Sequence, residues 1–310
     1  MSLAINIATP EGIVMAADSR QSYRNQKGAS RVGSDSASKL FLLNPRVGLA
    51  ITGLAFIPED GMAKNVSNFI NEFCQSNDLD ALSLREIADG IHKLFSQKLD
   101  SEKRLEDIEK DGRTRFIKQG LEIVSVVRDS ARVKFTLKDS KTGVVQEAVG
   151  VAEGVVIMVC GYDKDGSHAV YNISVPGEVV QHRNSLQKGK EYGANWLGQF
   201  DVVARIIKGW DGRILSVGFV QEAVKQIGQA NIEHQLNQLE YSINWGAMTL
   251  QDAVDFSILA VKTTEAVQKF SDGILANPGD IPGVGGPVDV LVLTAKEAFW
   301  VSKKKIDARE

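Results

Sequence analysis

Apolar and polar positions alternate from the start of the chain. Leu3, Ile5 and Ile7 fall on one side and Ala4, Asn6 and Ala8 on the other, a period of two that predicts a half-buried β-strand. Thr9-Pro10-Glu11-Gly12 follows as a turn signal, Pro presetting φ and Gly supplying a left-handed position. Residues 12–17 are apolar on both faces, as in a strand covered on both sides, and the run stops at Asp18. After a polar stretch to about Ala37, KLFLL (39–43) and VGLAIT (47–52) predict a second hairpin about Asn44-Pro45-Arg46.

Helical spacing begins at Met62, with Val66, Phe69, Ile70 and Phe73 on one face. Leu84, Ile87, Ile91, Leu94 and Phe95 repeat it behind Ser83, an N-cap residue. Residues 100–118 are charge-rich and read as a solvated continuation of that helix. Strand character returns over 121–161 and 168–181. Helices are expected over 190–208, 216–230 and 249–270, the last behind a Thr249 cap, and PVDVLVLT is the last strand. Strands and helices come in blocks, not in βαβ alternation. That predicts an α+β fold, two antiparallel sheets with helices outside them, in one domain over residues 1–310.

Composition changes this picture little. The 310 residues are 43% hydrophobic and 24% charged, with a net charge of -3, so no basic surface signals nucleic acid. Cys74 and Cys160 have no metal or redox spacing, which fits a reducing compartment. No apolar run approaches the ~20 residues of a membrane span. No basic segment followed by an apolar one opens the chain, so the first residues are expected in a mature, cytoplasmic fold. His92, His168, His182 and His234 are scattered, and Gly283–Gly286 opens no helix. No metal and no cofactor are expected.

Counting along the hairpins gives the chemistry. A tight loop at Pro10–Gly12 sets Ser2 across from the Asp18-Ser19-Arg20 corner. The second hairpin sets Lys39 opposite Ile51, beside Thr52-Gly53. If the hairpins are neighbours, Ser2, Asp18, Lys39 and Gly53 converge. Once Met1 is removed, Ser2 carries a hydroxyl and an α-amine of pKa ~7.7–8.0. That amine can act as general base for its own hydroxyl. A Lys39 ammonium lowers the amine's pKa, Asp18 orients Lys39, and Gly53 offers a backbone N–H to an oxyanion. The plainer readings are a turn acid pairing with Arg20 and an edge-blunting lysine. Ser36-Ala37-Ser38-Lys39 matches S-x-x-K, but a strand follows it where that chemistry needs a helix.

GIVMAADSR, SKLFLLNPRVGLAITGLA, VVIMVCGYDKDG and GVGGPVDVLVLT resemble the proteasome β-type subunits, with the HslV peptidase and the Anbu proteins, among the N-terminal nucleophile hydrolases. The resemblance implies a four-layer αββα sandwich, with Ser2 as nucleophile, Asp18 as acid, Lys39 as lysine and Gly53 as oxyanion glycine. It implies a substrate pocket at Gln21, Ala37, Ile51 and Ala55, uncharged and suited to a medium apolar side chain. Asn195 in YGANW and Asp280 in PGDIPGVGG stand near two supporting motifs. A peptide or unfolded-protein substrate and a homo-oligomeric ring or spiral are implied, and an ATPase partner is left open. The chain departs from the pattern in having Ser where Thr is usual. Its 21–37 loop is longer, and the segments near 100–150 and 228–247 are enlarged. A silent structural or assembly subunit and a small-molecule amidohydrolase are the alternatives.

Overall fold

A computed structural model describes residues 2–24, 30–275, 277–278 and 282–305. The chain runs β1 (Leu3–Thr9), β2 (Gly12–Ala17), β3 (Gln21–Arg24), β4 (Ser30–Ser34), β5 (Leu40–Asn44), β6 (Val47–Gly53), β7 (Phe56–Glu59) and β8 (Met62–Asn65). Then come α1 (Val66–Ser76), α2 (Leu84–Leu99), α3 (Ser101–Lys118), β9 (Leu121–Arg128), β10 (Arg132–Asp139), β11 (Val145–Val151), β12 (Val155–Tyr162), β13 (His168–Val175) and β14 (Val179–Asn184). The remainder is β15 (Gly193–Gly198), α4 (Asp201–Lys208), α5 (Gly218–Ile227), α6 (Gln229–Leu236), α7 (Leu250–Lys269), β16 (Gly273–Ile274), β17 (Asn277–Pro278), β18 (Asp289–Leu293) and β19 (Ala298–Ser302). The strand orders are β15-β1-β2-β18-β19, β14-β13-β12-β6-β5 and β11-β10-β9, with three two-stranded pairs. The fold is α+β with antiparallel sheets, more of them than the two expected. No helix among the described residues is long and apolar enough to cross a membrane.

The chain divides into two compact units, residues 1–52, 160–169 and 182–310 in the first, residues 53–159 and 170–181 in the second. In the first, β1 and β2 pair Ala4 with Ala17 and Thr9 with Gly12, the register the turn residues predict. Every residue of both strands is buried. Leu3, Ile5, Ile7, Val14 and Ala16 pack against Ala253, Val254, Ala260 and Val261 of α7 and Val203 and Ile207 of α4. On the other face, a Cβ on Gly48 of β6 would lie 2.5 Å from the Met15 sulfur, so the β5–β6 hairpin lies close against β2. Helices, sheet and hairpin therefore stack in that order. Burying these faces drives the arrangement, at ~25 cal/mol per Å² of apolar surface.

In the second unit, α1 and α2 meet through Phe69 and Phe95, edge-on at 6.3 Å. The enlarged 100–150 segment is a small layer of its own. There α3 packs on β9–β11 through Leu105, Phe116, Val133, Phe135 and Leu137.

Five expectations are corrected. β1, expected to be half-buried, is buried on both faces, because α7 and α4 cover one and the β5–β6 hairpin the other. The helix expected over 216–230 is two, α5 and α6, broken at Gly228, whose φ is 83°. Residues 193–198 form β15, not the start of a helix, because they fill a hydrogen-bonding edge of β1; sheet pairing overrides local pattern. Met62–Asn65 is a strand, and Asn65 caps α1. Asp100, at φ 41, breaks α2 from α3, so the charged segment is a separate helix.

Candidate active site

The end of the first hairpin places Asp18 against the start of β1. Its N–H donates to the Leu3 carbonyl at 3.2 Å, and the Leu3 N–H donates back to Asp18 Oδ1 at 3.0 Å. Asp18 Oδ2 accepts from the N–H groups of Arg20 and Gly285, both at 3.0 Å. The fourth donor is the Lys39 ammonium, 2.7 Å from Oδ1. A carboxylate this deep persists only when hydrogen-bonded and paired.

Lys39 precedes β5, and its carbonyl accepts the Ile51 N–H at 2.9 Å across the second hairpin. Its ammonium also donates to the Arg20 carbonyl. Burial pushes the Lys39 ammonium below the usual lysine range; Asp18 pulls it back up, while Lys304 and Arg20 push it further down. Arg20 forks onto Asp35 at 2.7 and 3.1 Å, which raises its own pKa. A second, part-buried ion pair, Lys304 with Asp289, stands beside this group. Asp289 pairs in register with Ala17, the residue before Asp18.

Ser2 is 6% exposed. Its carbonyl accepts the Gln199 N–H at 2.7 Å. Gly198 makes that approach possible: its φ is +83°, and a Cβ there would lie 2.0 Å from the Ser2 oxygen. The register sets Asn195 opposite Asn6, well along β1 from Ser2. So Asp18 and Lys39 meet in the first unit against Leu3, the residue after Ser2, and Gly198 and Gln199, not Asn195, border the Ser2 carbonyl.

Of the residues expected to line a substrate pocket, Gln21 and Ala37 are half-buried and Ile51 is buried. The Ala37 N–H donates to the Ser19 carbonyl at 2.9 Å. Gly53 and Ala55 belong to the second unit. Gly53 ends β6 at φ +99°, and a Cβ there would meet the Gly154 oxygen at 2.4 Å, so the position demands glycine. Ala55 accepts the Val66 N–H at 3.0 Å. Met1 and Asp280 lie outside the described residues. Among the described residues, no three His, Cys, Asp or Glu side chains group as metal ligands.

Sequence reasoning missed Gly285, Gln199, Asp289 and Lys304. Only Asp289 left a signal, as an acid inside the apolar run VDVLVL. Comparison with known proteins finds no matching family model and no matching curated protein.

Chemically, the arrangement is an oriented, partly dehydrated ammonium, held by a carboxylate whose other contacts fix the peptide that follows Ser2. Such a group stabilises negative charge or depresses the pKa of a neighbouring amine.

Proposed function

We propose that the chain is an N-terminal nucleophile hydrolase of the proteasome β-subunit kind, with Ser2 as nucleophile after removal of Met1. One observation carries the reading: Asp18 Oδ1 accepts both the Leu3 N–H and the Lys39 ammonium, which ties the lysine to the residue next to Ser2. The stacking of helices, sheet and hairpin in the first unit supports the four-layer αββα sandwich as the parent fold.

The Ser2 α-amine takes the proton of its own Oγ as Oγ attacks the substrate carbonyl. Lys39 favours the neutral amine by like-charge repulsion; the resemblance alone gives the oxyanion to the Gly53 N–H. The α-ammonium returns its proton to the leaving amine as the C–N bond breaks. Water, deprotonated by the same amine, then hydrolyses the acyl ester on Ser2. Gln21, Ala37, Ile51 and Ala55 carry no charge, so a medium apolar substrate side chain is favoured and a charged one disfavoured by desolvation. A cytoplasmic homo-oligomeric ring or spiral is the proposed assembly.

The test is turnover of a peptide library and of small amides by wild type and Ser2→Ala. Peptide cleavage lost in Ser2→Ala supports the reading. Cleavage of small amides alone moves the chain to the amidohydrolases. No turnover, with Ser2 unreactive, makes it a silent subunit.

A further inference from the structure

The side-chain amide of Gln268, near the end of α7, faces two chain segments at once. Its Oε1 accepts the N–H groups of Gly283 and Val284, both at 2.9 Å. Its Nε2 donates to Gln199 Oε1 at 3.1 Å. Two backbone donors on the oxygen fix the amide orientation, so the nitrogen must face Gln199. Each segment ends on the site. One residue beyond Val284, the Gly285 N–H sits on Asp18 Oδ2 at 3.0 Å, and the Gln199 N–H sits on the Ser2 carbonyl at 2.7 Å.

The Gly283–Gly286 segment has three glycines in four residues. Its one side chain, Val284, is fully buried in the core of the first unit, while its three glycines have the most conformational freedom to lose. Its backbone N–H groups are further handles, and α7 takes three of them. Gln268 holds two, and Glu265, three residues earlier on the same helix face, accepts the Gly286 N–H at 3.3 Å. The remaining N–H, that of Gly285, is presented to Asp18 at 3.0 Å, while the Gly285 carbonyl accepts the Ser19 N–H at 3.0 Å.

We propose that Gln268 is a positioning residue for the Ser2 centre, clamping the loop that seats Asp18 and the segment that seats Ser2 to one helix. The proposal rests on the hydrolase reading above. The hydrogen bonds of Gln268 run to the two segments that seat Ser2 and Asp18, so its loss disturbs the placement of the reacting groups. Gln268 is half-buried, so water replaces its hydrogen bonds without holding the two segments in register.

The experiment uses the full chain with Gln268→Met, Gln268→Glu, Gln199→Ala and, as a stability control on α7, Ser257→Ala. Turnover is read on the peptide that wild type cleaves, and amide hydrogen exchange on segments 197–200 and 282–287. Gln268→Met should lower kcat on the order of ten- to a hundredfold with KM little changed, and exchange should quicken at Gln199 and Gly285 together. Gln268→Glu should restore both, because a carboxylate accepts the same two N–H groups and the Gln199 amide can turn to donate. Gln199→Ala, should Gln268→Met fail to fold, severs one arm only: exchange quickens at Gln199 and not at Gly285. Ser257→Ala should lower the unfolding midpoint and leave kcat unchanged. Unchanged exchange at either segment in Gln268→Met, or a kcat loss no larger than that of Ser257→Ala, overturns the proposal. A Ser2-dependent activity that ignores Gln268→Met overturns the positioning role alone. Full turnover in Ser2→Ala overturns the hydrolase reading first.

Discussion

Asp18 and Lys39 meet at 2.7 Å with the carboxylate fully out of water and the lysine side chain 8% exposed. Removing one partner strands the other charge, which costs ~3–5 kcal/mol in a buried pair. Asp18→Asn should destabilise the fold by about that much, because it leaves the ammonium buried without its carboxylate; Lys39→Met should cost less, because it also removes that buried ammonium. The double variant should lose less than the two single losses added together, because nothing is then left stranded. Guanidinium unfolding of the four proteins measures the coupling, and strict additivity would deny it.

Lys39 also carries a pH signature. Its folded pKa lies below the unfolded lysine value of ~10.4. Between the folded value and that point the unfolded chain holds more protons, so this residue makes stability rise with pH across the window. Below the window the cost of the buried ammonium is felt in full. Lys39→Met should flatten that rise. An NMR titration of the lysine Cε resonances should place the Lys39 midpoint below ~10.4, and a midpoint at or above it would contradict the burial argument.

The Lys304–Asp289 pair predicts a linked effect. Lys304→Met leaves Asp289, 3% exposed, without this cation but with the Lys304 backbone N–H, and should destabilise the fold by less than the ~3–5 kcal/mol of a fully buried pair. It also removes a positive charge that pushes Lys39 down, so the Lys39 midpoint should move up. A midpoint that stays put would mean the two pairs are electrostatically independent.

The two hairpins were legible because their registers follow from local turn chemistry. Pro10–Gly12 fixes which residue faces which, and the count leads from Ser2 to Asp18 and from Lys39 to Ile51. Gly285, Gln199 and Lys304 were not legible. Each reaches the site through a tertiary contact made far along the chain, and a glycine offering its N–H leaves no trace in side-chain chemistry. Residues 193–198 failed as a helix for a related reason, since a strand is recruited there by β1. Asn195 stands in the expected motif region, yet the β1–β15 register carries it to Asn6 and brings Gly198 to Leu3.

Gly198 gives a steric prediction. Gly198→Ala meets a left-handed φ of +83° and a 2.0 Å approach to the Ser2 oxygen. The backbone strain alone is worth ~1–2 kcal/mol, and relieving the contact must displace Ser2. Thermal unfolding should fall, and reactivity at Ser2 should fall by more than in Ser257→Ala. Wild-type reactivity in Gly198→Ala would show that Ser2 tolerates the shift.

Covalent labelling at residue 2 tests the central claim most directly. Natively expressed protein is treated with a β-lactone, weighed intact and mapped by peptide. The account predicts a chain that begins at Ser2 and takes up a single adduct on that residue, with no adduct in a folded Ser2→Ala protein. A retained Met1, or equal labelling of wild type and Ser2→Ala, would contradict it.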